Sequence, residues 1–84
     1  MGKYRLTFRK SVAQDMRYMP NRAVKQILAA IESLSEDPRP AGSQRLSGQE
    51  RYRFRKGDYR IIYAIDDDSS VLIVKVGHRW DVYP

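Results

Sequence analysis

The chain predicts a two-layer α+β domain. Its element order is β-α-α-β-β-β, with a mainly antiparallel four-stranded sheet and a helical hairpin on one face. Two observations carry this. Residues 51–77 read as three strands joined by a Gly57-Asp58 turn and an acidic Asp66–Ser70 turn, and residues 21–36 carry one apolar helical stripe. At 84 residues the whole chain, 1–84, forms a single domain.

Tyr4, Leu6 and Phe8 alternate with Arg5, Thr7 and Arg9, as in a half-buried strand. Ser11 is the candidate N-cap of a short helix that runs to Met19 with Val12 and Met16 at helical spacing, and Pro20 breaks it. The second helix spans Asn21 to Glu36, with Val24, Ile27, Leu28, Ile31 and Leu34 on one stripe. Asn21 is its candidate N-cap, and Asp37-Pro38 ends it. Residues 38–50 lack periodicity and read as a polar connection anchored at Leu46.

Gly57-Asp58 fits a two-residue hairpin loop, so Lys56 pairs with Tyr59 and Arg55 with Arg60. Cross-strand partners share a face. Tyr52, Phe54, Ile61, Tyr63 and Ile65 then face the core, and Arg51, Arg53, Arg55 and Arg60 face away. In the last strand Leu72, Val74 and Val76 are expected to point inward and Lys75 outward.

No cysteine is present, so no disulfide staples this small core. No run reaches the roughly 18 apolar residues of a membrane helix, and the N-terminus lacks the apolar stretch of a signal peptide. A cytoplasmic location is expected. The net charge is +6, and eleven of the sixteen basic residues are Arg, which favours phosphate or carboxylate partners through the planar fork. No phosphate loop, zinc signature or nucleophile elbow occurs, and no metal, other cofactor or small-molecule ligand is expected.

The chemistry therefore rests on a cationic face. Like charges placed opposite one another destabilise a sheet, and an anion lying across Arg55 and Arg60 removes that cost. Such a face suits RNA cleavage without metal. A ribose 2′-OH attacks the adjacent phosphate when a base takes its proton, cations stabilise the charge that builds on phosphorus, and the leaving 5′-oxygen is protonated or neutralised. Arg serves the second need but not the first, because its pKa lies above about 12. His78 and Tyr83 are the candidate proton-transfer groups. Arg60, Arg79, Tyr83, Arg55 and His78 form the candidate catalytic set, and Arg51, Arg53, Lys56, Lys75 and Trp80 the candidate RNA-binding set. Plainer readings stand beside these. Arg53 and Arg55 also fit a solvated strand face, His78 a backbone-bonded tail residue, Tyr83 a core plug and Trp80 simple packing.

YRFRKGDYRIIYAID followed by VKVGHRWDVY resembles the RelE toxins of bacterial and archaeal toxin–antitoxin modules, within the RelE/ParE superfamily. Phe8–Ser11, Met19-Pro20, Asp37-Pro38 and Leu46–Gly48 agree with the resemblance, which covers nearly the whole chain. It implies a ribosome-dependent endoribonuclease that cuts mRNA in the A site of the 70S ribosome, leaving a 2′,3′-cyclic phosphate and a 5′-hydroxyl. It also implies a RelB-like antitoxin that covers the cationic face with carboxylates. Arg53 and Arg55 fall where some relatives carry lysines, which shifts proton transfer toward Tyr83 or His78. Arg60, Arg79 and Tyr83 match the family's strand arginine, post-strand arginine and C-terminal tyrosine. The sequence ends at Pro84 without the C-terminal helix of some relatives, so inhibition by displacing that helix is not expected. Two other functions stand beside the endoribonuclease: a ParE-like inhibitor of DNA gyrase, which lacks the catalytic set and against which Arg60, Arg79 and Tyr83 together weigh, and a non-enzymatic RNA-binding module.

Overall fold

The structure, a computed structural model, describes residues 3–46, 48, 50–66 and 69–79. Its elements are β1 (Arg5–Phe8), α1 (Lys10–Arg17), α2 (Asn21–Glu36), β2 (Ser43–Arg45), β3 (Tyr52–Lys56), β4 (Tyr59–Asp66) and β5 (Ser70–His78). The α+β architecture is as expected, but the sheet has five strands rather than four, in the order β1-β5-β4-β3-β2. β1 runs parallel to β5, and every other pair is antiparallel. The added strand is Ser43–Arg45, whose Ser43 pairs with Phe54 and Arg45 with Tyr52. Gln44 and Arg45 are exposed, so backbone pairing rather than an apolar face places β2 in the sheet, and periodicity carries no trace of it.

The caps of α1 and α2 lie two residues and one residue before the expected Ser11 and Asn21. Arg9 occupies the cap position of α1 and Pro20 that of α2, and neither helix start has a side-chain cap. Arg9 is still tied to β5 through its N–H to the Ile73 carbonyl at 3.0 Å, so the strand passes directly into the helix. α1 ends at Arg17 rather than Met19.

The main core joins Ile27, Ala30, Ile31 and Leu34 of α2 and Val12 of α1 to Ile61, Tyr63, Val71, Ile73 and Val76 of the sheet. Tyr52, Phe54 and Ile65 pack against it half-buried. Leu28 stands at the margin of the stripe, 44% exposed, and Phe8 is 47% exposed. Val24 is half-buried.

The β5 expectation fails over its first half. The β4–β5 register slips between Ile62 and Tyr63: Ile62 pairs with Lys75, but Tyr63 pairs with Ile73. This bulge at Val74 reverses the alternation. Val71, Ile73 and Val76 point toward the helices, whereas Val74, with Leu72 beside it, joins Leu46 and Ile62 in a second cluster on the opposite face. The face expected to be open and arginine-lined is thus divided. Leu46 covers its apolar half, and its arginine half lies toward the Gly57 turn.

Tyr63 is fully buried, stacks on Tyr52 with ring centroids 5.6 Å apart, and donates its hydroxyl to the Pro38 carbonyl at 2.6 Å. It thereby ties the segment after α2 to the sheet. Burial pushes the phenol up to about 12, so the folded state holds this proton more tightly than the unfolded chain. Its contribution is complete below about pH 10 and is lost as pH rises from there toward 12. Tyr63→Phe is expected to cost about 1–3 kcal/mol by orphaning the Pro38 carbonyl. It should also flatten the alkaline limb of a denaturation series recorded from pH 8 to 12.

Candidate nucleic-acid interface

The β3–β4 hairpin closes at Gly57-Asp58, with Gly57 at φ +59°, a conformation that glycine adopts without strain. The tight turn fixes the register, so Lys56 lies opposite Tyr59, Arg55 opposite Arg60, and Arg53 opposite Ile62. Continuing across the sheet, Gly77 lies opposite Arg60 and presents no side chain beside it. Arg53, Arg55 and Arg60 therefore share one face, and Arg51 precedes them at the start of β3.

The electrostatics report their closeness. The Arg53 guanidinium is held below the usual arginine range, first by partial burial and then by the Arg55 and Arg60 charges beside it. Its Nη2 donates to Gln44 Oε1 at 2.5 Å. Among the described residues no carboxylate pairs with Arg55 or Arg60. A cross-strand pair of like charges is thus left facing outward with no described counter-ion, which favours an anionic partner.

Arg79 sits at the same end of the molecule. Its backbone N–H donates to the Asp58 carbonyl at 2.7 Å, and its Nη1 lies 4.0 Å from Asp58 Oδ1. Asp58 was legible only as a turn former, yet it holds the first residue beyond β5 against the hairpin.

Of the expected members, His78 and Lys56 lie elsewhere, and Lys75 is tied to α1. His78 pairs with Tyr59, and the two rings meet edge to face with centroids 5.5 Å apart. Tyr59 packs on the main core, so His78 belongs to the helix side of the sheet, across the backbone from the arginines. Lys56, as the other partner of Tyr59, shares that side. Lys75 shares its position with Ile62, but its Nζ is 3.8 Å from Asp15 Oδ1 of α1. The expected roles of Trp80 and Tyr83 lie outside the described residues.

A small basic domain with two helices on one side of a mixed sheet and arginines on the other defines a class of protein with known members. The family model for the ParE toxin of type II toxin–antitoxin systems, parDE, matches residues 3–83. The chain belongs to the RelE/ParE toxin family of type II toxin–antitoxin systems.

Particular relatives carry the RelE name. Toxin RelG of Mycobacterium tuberculosis is 32% identical over 85 residues, covering 95% of each chain. RelE1 of Methanocaldococcus jannaschii is 30% identical over 86 residues, covering 96% of each. Among solved structures, the toxin–antitoxin complex RelBE2 from Mycobacterium tuberculosis superposes with a TM-score of 0.83 at 28% identity, covering 96% of this chain and 97% of that one. The archaeal RelE–RelB complex from Pyrococcus horikoshii gives 0.77 at 26% identity, covering 95% and 99%. These homologues were crystallised with their antitoxins.

Proposed function

We propose that this toxin is a metal-independent endoribonuclease that cuts mRNA in the ribosomal A site and so stops translation in the cytoplasm. The observation that carries the reading is the outward-facing Arg55–Arg60 pair opposite Gly77, with Arg53 and Arg51 behind it. The RelE-named relatives support it.

In the proposed reaction the 2′-oxygen bonds to the adjacent phosphorus as its proton passes to a base, and the bond from phosphorus to the 5′-oxygen breaks. That oxygen leaves as a 5′-hydroxyl after protonation, and the 2′,3′-cyclic phosphate remains. Arg60, with Arg55 and Arg79, binds the non-bridging oxygens as charge accumulates on them. The placement of His78 on the far side of the sheet weighs against its acting at the same phosphate, which leaves Tyr83 as the proposed base. Arg51, Arg53 and Lys75 bind RNA phosphates. A RelB-like antitoxin would neutralise the same face with carboxylates, as a basic surface of this kind invites.

Ribosome affinity is expected to be salt-dependent. Removing Arg53 and Arg55 together should flatten the log–log salt slope by about 0.7–0.9 for each phosphate that the toxin no longer neutralises. An unchanged slope places the ribosome-binding surface elsewhere.

One observation favours a second reading. The matching family model is that of ParE, so gyrase inhibition is the alternative. Supercoiling by purified gyrase, assayed beside mRNA cleavage on purified ribosomes with the same toxin, separates the two. Ribosome binding without cleavage of the bound mRNA would instead leave an RNA-binding module.

A further inference from the structure

A concave feature lies on the helix side of the sheet, at the same end as the arginines. β1 pairs with β5 only as far as Phe8 opposite Ile73, and α1 replaces it beyond that point. Asp15 makes the junction: its Oδ2 accepts the Val76 N–H at 3.2 Å, and its Oδ1 lies 3.8 Å from Lys75 Nζ. Between α1 and the end of β5 a cleft of about 410 Å³ opens, lined among others by Gln14, Tyr18, Tyr59, Gly77 and His78.

The chemistry of this cleft is aromatic and polar together. Tyr59 and His78 form one wall as an edge-to-face pair. Tyr18, on the other side of the junction, is 86% exposed. A tyrosine that exposed contributes little to the fold, so its ring surface is available to a ligand. The Gln14 side chain offers both a donor and an acceptor. Stacking rings beside an amide are what proteins use to hold a base lifted out of a single strand.

We propose that this cleft is a nucleobase subsite, which takes one unstacked base of the RNA next to the phosphate held by Arg55 and Arg60. Tyr18 and the Tyr59–His78 pair supply stacking surfaces, and Gln14 meets the hydrogen-bonding edge. The inference rests on the reading of this toxin as one that acts on RNA. Gly77 links the two places: it lines the cleft and is also the cross-strand partner of Arg60. With no side chain there, neighbouring nucleotides pass over the end of β5 from the arginine face to the cleft. His78 then serves as a stacking wall rather than as an acid or base.

The test is a titration of ¹⁵N-labelled toxin with a trinucleotide that is 2′-O-methylated at every sugar, and so binds without being cut. Amide shifts are expected at Gln14, Tyr18 and His78. Tyr18→Ala should weaken binding about tenfold to a hundredfold, and Tyr18→Phe should restore it. The melting temperature of Tyr18→Ala should match that of the wild type, which separates a stacking effect from a folding defect. On programmed ribosomes, Tyr18→Ala should change the relative cleavage rates among A-site codons. Shifts confined to Arg53, Arg55 and Arg60, or equal affinity for an abasic trinucleotide, would overturn the subsite and leave the nuclease reading intact. So would a Tyr18→Ala toxin that loses affinity for its antitoxin but not for the trinucleotide. Cleft shifts with a wild-type toxin that cuts no mRNA would keep the subsite and remove the nuclease.

Discussion

Arg60→Ala toxin is expected to cut mRNA on programmed ribosomes about two to three orders of magnitude more slowly than wild type under single-turnover conditions. Arg60 comes from the middle of a paired strand, fixed by register between Arg55 and Gly77. The strand carries its guanidinium on the arginine face, where charge builds on the phosphate in the proposed reaction, so its removal should fall on the chemical step. Ribosome affinity should fall far less, because Arg51, Arg53, Arg55 and Lys75 remain. Tyr83→Phe removes only a hydroxyl and should lower the same rate by about 10²–10⁴ if that group takes the 2′-proton. His78→Gln should leave the pH dependence of the rate in place, since His78 meets Tyr59 edge to face across the sheet from Arg60. A dead His78→Gln beside a fully active Tyr83→Phe would reverse that assignment.

The second large effect is on stability. Ile27 and Ile31 are buried at 0% and 1% exposure in the main core. Ile27→Ala is expected to cost about 2–5 kcal/mol by opening a cavity between α2 and the sheet. That is a large share of the roughly 4–13 kcal/mol available to a domain of this length. Leu28→Ala, one position along, should cost about 1 kcal/mol or less, because the side chain is already 44% exposed. Urea denaturation of the two variants in parallel checks the orientation of α2. Equal destabilisation would mean that the helix is rotated from the position described.

The hairpin was legible because two residues define it. A Gly-Asp turn sets the register, and the register sets every side chain of β3 and β4 to one face or the other. The α2 helix was legible to the residue, since Pro20 and Asp37-Pro38 bracket it and the apolar stripe lies between. β5 was not. Val71, Leu72, Ile73 and Val74 are apolar on both parities, so nothing in the run marks which face is inward. The slip opposite Ile62 and Tyr63 is a backbone event with no residue signature. β2 escaped for a related reason, as three polar residues with no apolar alternation to mark them.

The arginine face followed from alternation, and the same rule turns His78 away from it, although nearness to Arg79 in the sequence suggested otherwise. Adjacent residues on a strand point to opposite faces, so the run Gly77–His78–Arg79 cannot place its histidine beside Arg60. Tyr18 gave no signal. It follows the last helical residue of α1, and its proximity to Tyr59 and His78 comes from Asp15 docking the helix on β5.

The most direct measurement is the chemistry of the mRNA 3′ end produced on purified ribosomes with a defined A-site codon. A cut within that codon ending in a 2′,3′-cyclic phosphate is expected, with a 5′-hydroxyl on the downstream fragment and no requirement for divalent metal beyond what the ribosome needs. Intact mRNA in the presence of saturating toxin, with gyrase supercoiling inhibited by the same preparation, would contradict it.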